Sequence, residues 1–210
     1  MSIDASRMAK QIKLAYEFME ALHGQAIALI KDVEAQVAQA DEELQSLRPG
    51  GNYRFAASPM SYSLERPQTA IADYYAVYFR YFPDRVKNTL LDGDVPPICF
   101  LKVVLRELQL EQPEARFGVI TEIVKPAERG DKFPRNFEDL INDPISNKAL
   151  DGPAWSSQDT VTRPYERSYV SMAIRGKGVR LAELPDSEAI AVRIVEPLLE
   201  MFRAVAGKPV

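Results

Sequence analysis

One cysteine, one histidine and one tryptophan are all that this chain of 210 residues contains of those three types. The single Cys99 excludes an intramolecular disulfide and fits a reducing compartment, so a cytoplasmic location is expected. Zinc sites built from His and Cys cannot be assembled within one subunit. A Ser-His-Asp or Cys-His pair would have to use His23, which falls on the apolar side of a helical stretch. Catalysis would therefore depend on carboxylates, lysines, tyrosines or a carboxylate-bound metal. No cofactor and no metal is expected, and a non-enzymatic protein is favoured over an enzyme.

Long hydrophobic runs are also missing. Charges interrupt every stretch that approaches membrane-spanning length, so no transmembrane segment is expected. The first residues carry no apolar core behind a basic start and do not read as a secretory signal. Nor is there an excess of positive charge. A net charge of −4 gives no overall attraction to nucleic acid, which stays possible through a local patch but is not favoured. The remaining composition, 46% hydrophobic and 27% charged, is that of an ordinary globular domain, or one domain with an arm.

The stretch around which the chain is organised is Met8 to Leu47. Ile12, Tyr16, Met19, His23, Ala26, Ile30, Val33, Val37, Ala40, Leu44 and Leu47 recur in a 4-3 rhythm, one stripe on one helical face. Arg48-Pro49-Gly50-Gly51 stops the helix. From Ile12 to Ile30 a second row, Leu14, Phe18, Leu22 and Leu29, widens the apolar face, which suits packing on a sheet or bundle. From Val33 to Leu47 only a narrow seam remains between polar flanks. It either continues across the chain's own sheet or forms an arm. As an arm, Val33, Val37, Leu44 and Leu47 would pair with a second copy or with a helical protein partner. The expected division is a long N-terminal helix over 1–48 and an α+β domain over 52–210.

Within that domain, Tyr53 to Leu64 alternates with a break at Ser58-Pro59 and predicts a bent strand. Residues 70–82 are dense in aromatics and predict a strand covered on both faces, with a base-stacking platform as the functional alternative. Ile98–Leu108 and Arg116–Val124 alternate as strands, joined by a polar turn around Pro113. Residues 126–164 form an irregular, proline-punctuated loop with a short helix at 136–141. Its Trp155 either anchors the loop or serves as a partner-binding hot spot. Tyr165–Arg175 reads as a strand, Gly176-Lys177-Gly178 as a turn, and 179–184 as a short return strand. A C-terminal helix starts at Pro185-Asp186-Ser187-Glu188, buries Ile190, Ile194, Leu198, Met201 and Val205, and is kinked by Pro197.

Two constellations could carry chemistry. Asp73, Glu122 and Lys125 have the residue types of a carboxylate-metal nuclease site. Glu122 and Lys125, however, are three apart and share a strand face only if a bulge intervenes. Arg163, Arg167, Arg175, Lys177 and Arg180 cluster in an otherwise acidic chain, and arginine forks suit phosphate or carboxylate. The alternative for these cations is a solvated hairpin with local ion pairs.

The expected fold is α+β: a mainly antiparallel sheet covered by the long N-terminal helix and the kinked C-terminal helix. The leading expectation is a non-enzymatic binding protein. It would self-associate or take a partner through the N-terminal helix, and would recognise an anionic ligand or a protein through the basic hairpin and the loop around Trp155. The alternatives are a metal-dependent nuclease or phosphohydrolase, and a sensor of an apolar ligand or lipid surface.

Overall fold

A computed structural model describes residues 5–41, 44–46, 74–81, 97–105, 110–124, 150, 152–167 and 170–206. Helix α1 spans Ala5–Ala40 and is followed by strands β1 (Leu44–Ser46), β2 (Tyr74–Tyr81), β3 (Ile98–Val104) and β4 (Glu114–Val124). Then come β5 (Val161–Arg167) and β6 (Val170–Arg180). The chain closes with two helical segments, α2 (Ser187–Ile190) and α3 (Glu196–Ala206), joined by a π turn at Ala191–Val195. The six strands form one antiparallel sheet in the order β1-β2-β3-β4-β6-β5, which establishes the expected α+β class. The expected strand at 53–64, the short helix at 136–141, and Leu47 lie outside the described residues.

The helices cover one face of the sheet. Val77, Phe79, Cys99, Leu101, Val103, Ala115, Phe117 and Val119 meet Ala26, Leu29, Ile30, Val33 and Val37 of α1 and Ile194, Leu198, Leu199 and Phe202 beyond it. Alternation puts this set on one side, since paired residues of neighbouring strands share a face.

Helix α1 ends earlier than its stripe predicts. Asp41-Glu42-Glu43 follow Ala40, and three carboxylates at the negative end of the helix dipole disfavour further turns. The Leu44 amide donates to the Asp41 carbonyl at 3.1 Å, and the chain turns into β1, where Leu44 pairs with Tyr81. Val33, Val37 and Leu44 are completely buried in the chain's own core. The expected coiled-coil seam is corrected here: these side chains are used up on the sheet and have no surface left for a partner.

The wide apolar face expected from Ile12 to Ile30 is only partly covered: Ala26, Leu29 and Ile30 lie in the core, and Leu22 and Ile27 pack against it. No side chain from Arg7 to Gln25 is buried. The wide apolar face placed on the sheet by sequence instead extends beyond the covered part.

The order β4-β6-β5 sets the second face. Strand β5 precedes β6 but lies outside it, so the connection from β4 must cross the sheet to reach its edge. Pro164 falls inside β5, where an edge strand tolerates a missing N–H. Gly176-Lys177-Gly178 does not turn the chain but runs through the middle of β6, while Val161–Arg167 and Val170–Arg180 form the hairpin. The glycines are there for clearance. A Cβ on Gly178 would stand 2.5 Å from the Ser156 nitrogen, and one on Gly176 2.8 Å from Trp155 Cζ3.

Pro197 has no N–H to return to the carbonyl of Arg193. The chain widens into the π turn immediately before it rather than breaking. Asp186 caps α2, its carboxylate accepting from the Ala189 amide at 2.8 Å.

Candidate interaction surface

The sole tryptophan settles as an anchor. Trp155 is fully buried in a short 3₁₀ turn, Trp155–Ser157, that lies on the face opposite the helices. Phe100 meets it edge-on, with ring centroids 6.2 Å apart. The guanidinium carbons of Arg116 and Arg163 lie 5.7 Å and 5.4 Å from the ring centre. Beneath the segment, Glu114 Oε1 accepts from the Trp155 amide at 3.1 Å and Oε2 from the Ser156 amide at 3.2 Å. Arg116 Nε donates to the same Glu114 Oε1, and its two terminal nitrogens donate to the carbonyls of Leu150 and Gly152. One ion pair thus fastens both sides of the Trp155 loop to β4. The expected hot-spot role of Trp155 is corrected: a side chain with no exposed surface cannot meet a partner.

The basic residues do not form one patch. Register pairs Arg175 with Val119 and Lys177 with Phe117, on the helix-covered face. Arg180 pairs with Glu114, and Arg163 with Ile174, on the Trp155 face. The expected grouping of Arg175 and Lys177 at the end of a turn assumed that Gly176 and Gly178 were turn residues. Arg163 stacks on Trp155, and the side chain of Arg167 lies outside the described ones.

The carboxylate constellation is described only in part. Asp73 and Lys125 lie outside the described residues, and Glu122 is exposed. Strand β4 does carry a bulge: its register with β6 shifts between Thr121 and Val124, and Glu122 has a positive φ of 53°. Among the described residues, no group of three or more His, Cys, Asp or Glu is placed to hold a metal ion. No helix among them is long and apolar enough to cross a membrane. His23 is half-buried, and burial pushes its imidazole below the usual histidine range. Phe79 of the aromatic strand belongs to the core, which removes it from any stacking platform.

Among the described residues, the large exposed apolar side chains are concentrated in the first half of α1; the others are Val192 and Val205, the latter expected in the buried stripe of the C-terminal helix. Met8, Ile12, Leu14, Tyr16 and Phe18 keep between 43% (Met8) and 74% (Tyr16) of their surface in solvent. Met8, Ile12 and Met19 stand whole numbers of helical turns before Ala26, Ile30 and Val37, so the exposed row continues the buried one. A single apolar line therefore has one half on the sheet and the other uncovered.

The uncovered half leads into a groove of about 740 Å³ between α1 and the segment that enters α2. Phe18, Leu22 and Leu29 form one wall, with Pro113, Leu181 and Leu184 opposite. Its rim is acidic, with Asp32 and Asp186. Ser187 Oγ donates to Asp32 Oδ2 at 2.6 Å, and Gln36 Nε2 donates to Asp32 Oδ1 and to the Ser187 carbonyl, both at 3.1 Å. These bonds tie α1 to α2 beside the groove.

No protein-family model, no curated protein and no solved structure matches the chain.

Proposed function

We propose that this chain is a non-enzymatic interaction protein whose docking element is the first half of α1. The observation that carries the reading is the row from Met8 to Phe18, five large apolar side chains exposed within three helical turns. Exposed apolar surface that is contiguous, rather than scattered, marks an interaction site. Arg163, Arg175, Lys177 and Arg180, divided between two faces of the sheet, offer weaker support for an anionic ligand.

The reading is tested by Ile12→Glu combined with Phe18→Glu. Both side chains are exposed, so the melting temperature should move by no more than a few degrees, as surface changes usually stay within about 0.5 kcal/mol. Affinity capture from an extract of the native source should recover bound protein with the natural chain and lose it with the double variant. An unchanged captured set would defeat the proposal.

A second reading, a carboxylate-metal nuclease, is favoured by the bulge at Thr121/Val124, the feature that the Glu122 and Lys125 spacing requires. Cleavage of DNA or RNA with Mg²⁺ or Mn²⁺, abolished by Glu122→Ala, is the result that would prefer it.

A further inference from the structure

We infer that the groove beside α1 receives the apolar face of a partner protein's helix, and that this helix carries a basic residue at the end nearest Asp32 and Asp186. The inference rests on the proposed docking role of α1, since Phe18 belongs both to the exposed row and to the groove wall.

The shape argues for a helix. Phe18, Leu22, Gln25, Leu29 and Asp32 follow one another at intervals of three and four residues along one side of α1. At about 1.5 Å per residue the line is about 21 Å long, or about four turns. The bond from Ser187 Oγ to Asp32 fixes one end of it against the start of α2, and Pro113, Leu181 and Leu184 form the opposite wall. No residue of the edge strands β1 and β5 lines the groove. An extended segment laid there would bring its peptide groups against Leu22 and Leu29 with no ladder to receive them. A helix satisfies its own backbone and presents only side chains.

The charge argues for a cation at one end. Asp32 accepts from Ser187 Oγ and Gln36 Nε2, and Asp186 accepts from the Ala189 amide. These donors are neutral, so both negative charges remain. Asp32 and Asp186 lie at the same end of the groove, joined through Ser187. Among the described residues that line it, none is Lys or Arg. A basic residue at that end of the partner's apolar face is attracted, whereas an acidic one meets like charge. Asp186 is exposed and Asp32 half-buried, so the charges orient the helix while the apolar walls supply most of the affinity.

The probe is a fluorescein-labelled peptide of leucine and lysine, patterned as an amphipathic helix about four turns long, with a leucine and glutamate peptide of the same pattern beside it. Fluorescence anisotropy on the full chain should show saturable binding of the lysine peptide that weakens as salt is raised, and no binding of the glutamate peptide. Asp186→Asn keeps the cap of α2, because Asn caps as well as Asp, and should weaken binding by up to about fivefold. Asp32→Asn combined with Asp186→Asn should weaken it by about tenfold and remove most of the salt dependence. Phe18→Ser should also weaken it by about tenfold, through lost apolar contact, and should leave the melting temperature within a few degrees. If the double Asn variant is unstable, Asp186→Asn alone decides the role of charge. Equal binding of the two peptides would overturn the inference. So would no binding of either at millimolar concentration, or binding of the lysine peptide that neither Asn variant alters. Capture from the native extract separates this inference from the reading beneath it. Proteins lost with Ile12→Glu and Phe18→Glu but fully retained by the Asn variants would overturn the groove inference and leave the docking role of α1 standing. Capture unchanged in all of these variants would defeat both.

Discussion

Glu114 and Arg116 stand two residues apart on β4, on the same face of the sheet. Arg116 Nε donates to Glu114 Oε1 at 2.6 Å with both side chains sealed from solvent. The pair is also a clasp. The carboxylate accepts two amides of the Trp155 turn, and the guanidinium donates to two carbonyls ahead of it. The Trp155 amide and the Leu150 carbonyl, both in buried bonds, would otherwise be polar atoms without a solvent partner.

Removing one member leaves the other charge stranded. Arg116→Ala is expected to cost about 3–5 kcal/mol, the range for breaking a buried pair. Because Trp155 is the only tryptophan, its fluorescence reports the clasp directly, and urea unfolding followed at that signal gives the measurement. Arg116→Lys should fall between, since a point charge replaces one arm of the fork and not the others. A loss under about 1 kcal/mol for the alanine variant, well below that range, would show that the loop is held by other contacts.

The same substitution should have opposite signs at two glycines. A Cβ at Gly176 would meet the Phe117 carbonyl oxygen at 2.4 Å and Trp155 Cζ3 at 2.8 Å. Backbone cannot yield there without disturbing the β4-β6 ladder, so Gly176→Ala should destabilise by at least about 1–3 kcal/mol. At Gly24, inside α1, nothing lies within 4 Å of the added Cβ. Gly24→Ala should stabilise by up to about 1 kcal/mol through helix propensity. Thermal unfolding of the two variants beside the natural chain decides both.

Cys99 should be silent toward alkylation until the chain opens. It is completely buried on β3, and burial, with the Asp41 carboxylate adding to it, holds its thiol well above the usual range. The thiolate is the reactive form, so both access and protonation oppose reaction. Labelling with iodoacetamide is expected to follow the unfolding equilibrium in urea. Rapid labelling of the native chain would mean that the helices leave the sheet locally.

The periodicities of this chain decided its element types. The 4-3 rhythm of α1, the alternation of β3 and β4, and the cap at Asp186 are local properties of the backbone, and they survive into the fold. Period alone could not decide which half of the apolar line on α1 is covered, because both halves obey it equally. Coverage depends on where β1 ties the helix to the sheet edge, and that pairing joins Leu44 to Tyr81 across a long stretch of sequence. The glycines of β6 were misread for a related reason. Glycine favours a turn when judged by its neighbours, but here it clears room for Trp155, a contact set by the order of β5 and β6. Glu114 and Arg116 look like ordinary strand-end charges until the loop closes over them. Burial is a property of what lies above a residue, and only the tertiary structure brings that partner from elsewhere in the chain.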